Sequence, residues 1–238
     1  MRNLFRSFER FGVDYLLIGG QASVLHGAAT FSEDIDLWVR PAADNLRRLL
    51  RALASCRARV YKMTPPLTVR NVRAGHRFYF TVPGRPGTVF LDVMGCPPRL
   101  ASFSRALRRA RVMETGWGRI PVVSIPDLIE LKKTRRLYDY EVISNLVRLR
   151  VSQEPSPPRT VLLWAARQTF RAEDRVEYLR RLGLPASSAA CRRRIAWEIQ
   201  RCQARDAAHW RPVLRELREF RRRGKLLEEG TPVARLLD

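Results

Sequence analysis

A glycine pair placed shortly before two aspartates is the feature that most constrains the fold of this chain. Residues 15–20 read Tyr-Leu-Leu-Ile-Gly-Gly, an apolar run that ends in a turn, and residues 34–39 read Asp-Ile-Asp-Leu-Trp-Val. Side chains two residues apart on an extended strand point to the same face, so Asp34 and Asp36 converge. Two neighbouring carboxylates repel each other unless a cation lies between them, and their oxygens suit Mg²⁺. The pattern predicts two strands, the second of which carries a divalent-metal clamp.

A third carboxylate is expected on a strand beside this pair. Residues 76–82 and 88–94 form the arms of a predicted hairpin, with Pro83-Gly-Arg-Pro-Gly87 as its turn. Asp92 interrupts the apolar second arm, where a lone buried carboxylate is costly without a cation or hydrogen bonds. A metal shared with Asp34 and Asp36 would remove that cost. The alternative is that Asp92 caps a turn before Gly95 or forms a surface ion pair.

Composition limits the class of protein. With 238 residues and 45% hydrophobic content, the chain can bury a core as one large domain or two small ones. No apolar stretch is long enough to span a membrane, and the first residues lack the pattern of a secretory signal, so we expect a cytoplasmic protein. The four cysteines are scattered without zinc-ligand spacing.

The net charge points to a polyanionic partner. The chain has 45 basic and 23 acidic residues, a net charge of +22, which attracts nucleic acid. Because 41 of the basic residues are arginine, a coding bias that leaves them as solvated surface is an equal alternative. The excess is found both before and after residue 150, so it is not a tail.

The order of predicted elements indicates an α+β fold, a mixed sheet flanked by helices and followed by a C-terminal helical region. Residues 151–159 contain three prolines in four positions and form the best linker, which divides the chain into domains 1–150 and 151–238. A helix is expected from the start signal at residues 124–127 through residue 143, with Lys132, Arg136 and Asp139 on roughly one face. Residues 159–223 look helical throughout.

Taken together, these motifs resemble those of the nucleotidyltransferase superfamily. The matching features are Gly19-Gly20, Asp34-Ile-Asp36-Leu37, the later strand acid Asp92, and a helix that reads Asp127-Leu-Ile-Glu-Leu-Lys132. The superfamily includes polymerase beta-like folds, minimal nucleotidyltransferases and abortive-infection toxins. The resemblance covers about residues 11–147, and the C-terminal third has no counterpart. A lone Asp-x-Asp would be weak evidence, whereas the four features together are specific.

The resemblance implies a role for each matched position. Asp34, Asp36 and Asp92 would ligate Mg²⁺ as metal-binding and catalytic residues, with Asp92 also helping to deprotonate the acceptor. Gly19 and Gly20 would let the backbone approach the triphosphate. Lys132 would neutralise phosphate charge as the bond breaks, although a helical lysine is by default solvated.

Two further residues belong to the implied nucleotide site. Ser32 stands where relatives carry a threonine, and its hydroxyl can replace that group, but Thr30 stands where they carry an arginine. Arg136 would extend the nucleotide pocket, or it would simply pair with Asp139.

The implied activity is transfer of a nucleoside monophosphate from a nucleoside triphosphate to an acceptor hydroxyl, with Mg²⁺ as cofactor. The basic charge favours RNA, such as tRNA, as the acceptor, and a protein hydroxyl is the variant. If the resemblance to toxins holds, an antitoxin protein would be a partner. The alternative is an inactive module of the same fold that binds nucleotide or RNA. A plain basic scaffold would not need acids two residues apart beside a glycine turn.

Overall fold

The computed structural model describes residues 1–84, 87–100 and 102–237, and these form an α+β protein. Its helices in chain order are α1 (Arg2–Arg10), α2 (Gly19–Leu25), α3 (Ala43–Ser55), α4 (Val69–Arg73), α5 (Phe103–Arg109), α6 (Ile125–Lys132), α7 (Leu137–Ser152), α8 (Arg159–Gln168), α9 (Ala172–Arg181) and α10 (Ser188–Arg222). Its strands are β1 (Tyr15–Ile18), β2 (Ile35–Val39), β3 (Arg59–Val60), β4 (Arg77–Gly84), β5 (Gly87–Met94), β6 (Arg111–Thr115) and β7 (Gly118–Val122). The predicted mixed sheet flanked by helices is confirmed.

The strands form one sheet of seven in the order β3-β4-β5-β2-β1-β7-β6. Strand β2 runs antiparallel to β1 and parallel to β5, and β1 runs parallel to β7. Strands β4 and β5 form the expected hairpin, paired from Arg77↔Met94 to Gly84↔Gly87. Arg85 and Pro86 of the predicted turn lie outside the described residues. The predicted acid-bearing strands are therefore adjacent at the centre of the sheet.

Two helix predictions differ from the structure. The helix expected to run to residue 143 breaks after Lys132, and α7 begins at Leu137. Residues 133–136 form a turn, in which the Thr134 hydroxyl donates to the Asp139 carboxylate and accepts from the Arg136 amide. Residues 159–223 form three helices separated by short breaks.

The C-terminal residues pack onto the sheet domain. The apolar core that includes Leu17 and Leu37 continues through Leu162 and Tyr178, beyond the predicted linker. Farther along the chain, Val60 donates its amide to the carbonyl of Thr231 and accepts from Gly230, beside the buried Val233. The division into two domains stays a prediction. None of the helices in the described part of the chain is long and apolar enough to cross a membrane.

Candidate active site

Two central strands place Asp36 and Asp92 side by side. The residues are direct partners in the parallel pairing of β2 with β5, so their side chains leave the same face of the sheet. Ile35 and Leu37, which flank Asp36, are fully buried on the opposite face and hold the strand in this register. Asp34, one residue before β2, lines the same cavity as the other two acids. The structure thus brings together the three predicted carboxylates.

The turn at Gly19 and Gly20 is shaped around two of the site's side chains. Gly19 has a left-handed φ of +67°, and a Cβ atom there would collide with the carboxylate of Asp36. A Cβ atom on Gly20 would collide with the hydroxyl of Ser32. The Gly20 amide in turn donates to Oδ2 of Asp36 at 3.4 Å. Both glycines are therefore needed to let Asp36 and Ser32 approach the start of α2.

The loop between α2 and β2 is held over this turn. Gln21 donates its side-chain Nε2 to the carbonyl of Ser32 at 2.6 Å, and the Ser32 hydroxyl donates to the carbonyl of Asp34 at 3.3 Å. The Ser23 hydroxyl donates to the carbonyl of Gly19 at 3.0 Å. These bonds fix the position of Asp34 relative to the glycine turn.

Burial and mutual repulsion shift the titration of the acids. Burial raises the pKa of Asp92 to about 7, and the neighbouring charges of Asp36 and Asp34 add to the rise. The pKa of Asp36 is also raised by burial, while Arg77, the Gly20 amide and Lys132 oppose the shift. Two carboxyls with raised pKa values in one cavity are typical of a site that binds a cation.

Arg77 is a residue of the site that the sequence analysis missed. It lies on β4 beside β5, and its positive charge lowers the pKa values of both Asp36 and Asp92. Its guanidinium stacks over the ring of Trp210 at 4.8 Å, and its buried Nε has no hydrogen-bond partner within the described residues. This places a partly unsatisfied cation next to the acids, where a phosphate oxygen would satisfy it.

Lys132 and Asp139 form a buried ion pair at the edge of the cavity. Lys132 Nζ lies 2.9 Å from Asp139 Oδ1, and both residues are almost fully buried. Burial raises the pKa of Asp139, but Lys132, Thr134 and Arg136 together outweigh burial and lower it. Lys132 is thus not a solvated helix lysine. The charge of Lys132 also lowers the pKa of Asp36, which shows that Lys132 lies near the acids.

The break between α6 and α7 determines where Arg136 lies. Arg136 is the N-cap residue of α7 and does not follow Lys132 on the same helix. Its Nε donates to Asp139 Oδ2 at 3.0 Å. It nevertheless lines the cavity, with a side chain 76% exposed. Arg136 therefore pairs with Asp139 and also borders the cavity, and its contact with a nucleotide stays a prediction.

The cavity that holds these residues has a volume of about 480 Å³. One wall comes from α10, far away in sequence, through Asp206 and Trp210, and Trp210 Nε1 donates to Asp206 Oδ1 at 3.1 Å. At the mouth, the rings of Phe31 and Tyr138 are 73% and 67% exposed. A cleft of this size with exposed rings at its mouth suits a small, flat ligand.

The donor set fits a magnesium ion that arrives with a phosphate ligand. Within residues 1–84, 87–100 and 102–237, no group of three or more His, Cys, Asp or Glu side chains is placed so that it could hold a metal ion by itself. Mg²⁺, however, usually binds one or two carboxylates together with water and substrate phosphates. Asp34, Asp36 and Asp92 supply hard oxygen donors, and the space that Gly19 leaves free allows Asp36 to reach the cavity. The residues present therefore fit this ion.

Solved structures of other proteins are similar to this fold. The chain is similar to the crystal structure of an antigenic nucleotidyltransferase-like protein from Paracoccidioides brasiliensis, with a TM-score of 0.49, 16% identity, and coverage of 79% of this chain and 93% of that chain. It is also similar to a proposed nucleotidyltransferase from Thermotoga maritima, with a TM-score of 0.38, 16% identity, and coverage of 68% and 88%. No family model and no curated protein matches the sequence.

Proposed function

We propose that this protein is a Mg²⁺-dependent nucleotidyltransferase, which moves a nucleoside monophosphate from a nucleoside triphosphate to an acceptor hydroxyl. The observation that carries the proposal is the pairing of Asp36 with Asp92 on adjacent strands, in a cavity shared with Asp34 and the glycine turn. Three carboxylates gathered beside the start of a helix are costly for folding, and a metal-bound triphosphate compensates that cost.

Each residue then has a defined role. Asp34, Asp36 and Asp92 would hold Mg²⁺, which when bound neutralises and orients the triphosphate. The start of α2 and Ser32 line the same cavity, where the backbone amides would donate hydrogen bonds to phosphate oxygens. The Ser32 hydroxyl would do so on turning away from the carbonyl of Asp34. The exposed rings of Phe31 and Tyr138 offer stacking faces for the nucleobase.

The transfer is an in-line displacement at the α-phosphorus. The acceptor oxygen forms a bond to the α-phosphorus, the bond from that phosphorus to the bridging oxygen breaks, and pyrophosphate leaves. Asp92 accepts the proton of the acceptor hydroxyl, because it lies on the side of the acid pair toward β4 and away from the glycine turn. Lys132 and Arg77 stabilise the negative charge that develops on the phosphate oxygens.

Label transfer tests the proposal directly. Pure protein is incubated with α-³²P-labelled nucleoside triphosphates, Mg²⁺, total RNA and total protein. We expect transfer that requires Mg²⁺ and falls about 100-fold or more in Asp36→Asn and Asp92→Asn, because several kcal/mol of transition-state stabilisation are lost. Glu114→Gln, which changes a carboxylate on the exposed β6, is the matched control and should transfer normally.

Two outcomes would count against the proposal. Absence of label on every acceptor would indicate the inactive binding module of the same fold. Transfer that persists in both aspartate variants would show that the acids are not the catalytic centre.

A further inference from the structure

A second cavity adjoins the proposed active site. Its volume is about 310 Å³, and it shares with the first cavity the residues Arg77, Thr134, Arg136, Asp206 and Trp210. Because these residues form a common wall, a ligand in the second cavity lies next to a ligand in the first. Helix α10 supplies five of its twelve lining residues.

The acids stand between the glycine turn and the second cavity. The sheet order places β1, which ends at the glycine turn, on one side of β2 and β5, and places β4 on the other side. Tyr79 on β4 is the direct partner of Asp92 on β5, and Tyr79 lines the second cavity. A triphosphate held at the glycine turn and a ligand in the second cavity would therefore meet at Asp92 from opposite sides.

The lining of the second cavity combines flat or apolar surface with cations. The apolar part consists of Met63, Tyr79, Trp210, Val213, Leu214 and Leu217. The cationic part is formed by Arg77, Arg135 and Arg136, and the side chains of Arg135 and Arg136 are 57% and 76% exposed. A ligand with a flat ring, a negative charge and a hydroxyl group matches this combination.

A row of arginines continues from the cavity along α10. Arg211, Arg215 and Arg218 each follow directly a residue of the cavity wall, so they form one row on the neighbouring face of the helix. All three are exposed. Within the described part of the chain, none of the three forms an ion pair with a carboxylate. Such a row is suited to track consecutive phosphates of an extended strand.

We propose that the second cavity binds the terminal nucleotide of an RNA strand and presents its ribose hydroxyl to Asp92, while the arginine row binds the phosphates that precede it. The proposal rests on the proposed function, since it identifies the acceptor of that reaction. The base stacks on Trp210 and Tyr79, and the terminal phosphate lies at Arg135 and Arg136. A protein acceptor would not need a row of unpaired cations leading to the cavity.

Photochemical cross-linking locates the strand end without requiring activity. The probe is a short single-stranded RNA that carries one 4-thiouridine, either at its 3′ end or in its interior, irradiated with the full-length protein. We expect the terminal probe to cross-link to peptides that contain Tyr79, Trp210 or Leu214, and the interior probe to cross-link to peptides along α10. Terminal cross-links confined to other surfaces would overturn the proposal.

Matched variants test the cavity and the arginine row separately. Leu214→Glu places a negative charge in the cavity, and Leu107→Glu does so on α5, at a leucine that is 42% exposed compared with 40% for Leu214. We expect Leu214→Glu to raise the KM for RNA about tenfold or more, because the new carboxylate occupies the cavity and repels the terminal phosphate. Leu107→Glu, which lines neither cavity, should leave it unchanged.

The triple variant Arg211→Gln, Arg215→Gln, Arg218→Gln removes three charges from α10. Its control removes three exposed arginines from α1 and α3, at Arg6, Arg47 and Arg51. The α10 variant should lower the slope of log affinity against log salt by about 2, because each phosphate contact on a single strand contributes about 0.7. The control should lower it by much less, and equal slopes in the two variants would contradict the role of the row.

The outcomes separate the two proposals. Label transfer to RNA that is equally efficient in Leu214→Glu and Leu107→Glu would overturn the acceptor site and leave the nucleotidyltransferase intact. Label on proteins alone would overturn RNA as the acceptor. Terminal cross-links in the second cavity without any label transfer would support the RNA site and overturn the enzyme.

Discussion

The carboxylate of Asp36 occupies the space that a side chain at residue 19 would need. A Cβ atom on Gly19 would lie far inside van der Waals contact with the Asp36 side chain, and the Gly20 amide donates to the same carboxylate. The glycine turn and the acidic strand are therefore one structural unit. Gly19 is required by the Asp36 side chain itself, independently of any ligand.

This relationship predicts the effect of Gly19→Ala. The variant should lose about 1 kcal/mol of folding free energy to its left-handed φ, plus the cost of moving Asp36, and Mg²⁺-dependent label transfer should fall at least tenfold. Gly183→Ala is the matched control, because Gly183 has a φ of +68° and nothing within 4 Å of its Cβ position. It should lose stability and keep activity. Equal activities in the two variants would show that Asp36 does not depend on the turn.

The raised pKa of Asp92 predicts a pH dependence of stability. Asp92 has a folded pKa of about 7, whereas an unperturbed aspartate has a pKa of 3.8, so between these pH values the folded state holds a proton that the unfolded state has released. Stability should therefore fall as pH rises from about 4 to 7. In metal-free buffer, Asp92→Asn should be more stable than wild type by on the order of 2 kcal/mol at pH 8, and by less at pH 5.

Thermal unfolding at the two pH values measures this difference. Glu114→Gln, which changes a carboxylate that is 78% exposed, should show no such change between pH 5 and pH 8. A stability gain for Asp92→Asn that does not depend on pH would mean that Asp92 is ionised throughout this range.

Variants of the buried pair Lys132 and Asp139 should affect folding stability and label transfer differently. Lys132→Met leaves Asp139 buried without its main cation and should cost about 3 kcal/mol, as measured by denaturant unfolding. Adding Asp139→Asn should recover most of that loss, because the uncompensated charge is gone. Label transfer should stay low in the double variant, since the Lys132 charge that would stabilise the phosphates is absent. A double variant as active as wild type would make Lys132 purely structural.

Replacing Arg77 should shift the pH dependence of the label-transfer rate. Its charge lowers the pKa values of Asp36 and Asp92, so Arg77→Met should raise both and move the acidic limb of the profile to higher pH. Arg77→Lys keeps the charge and should move the limb much less. The measurement is the initial rate of label transfer between pH 5 and pH 9. Identical profiles for wild type and Arg77→Met would remove Arg77 from the site.

Local sequence patterns were sufficient to predict the acids and the strands that carry them. Asp34 and Asp36 are two residues apart on an apolar strand, and Asp92 is the single acid in a second apolar run, so period-two alternation identifies the face each occupies. Because the two apolar runs that carry Asp36 and Asp92 must both be buried, they are expected to lie in one sheet, as β2 and β5 do. The register that sets Asp36 opposite Asp92 depends on the whole sheet and had no local signal.

Residues supplied by distant elements could not be predicted. Arg77 is one of 41 arginines, and nothing near it in sequence distinguishes it from those on the surface. Trp210 reaches the cavity only because α10 packs back over the sheet. The break after Lys132 has no glycine or proline to mark it, since it depends on side-chain bonds of Thr134 to residues that follow. Long-range packing decides these features.

A crystal structure of the protein with Mg²⁺ and a nonhydrolysable nucleoside triphosphate tests the central claim most directly. We expect the ion to be ligated by Asp34 and Asp36 together with phosphate oxygens, the triphosphate to lie along the start of α2, and the α-phosphorus to face Asp92. A triphosphate bound elsewhere on the molecule, or bound with these carboxylates turned away from the ion, would contradict the assignment of this cavity as a nucleotidyltransferase centre.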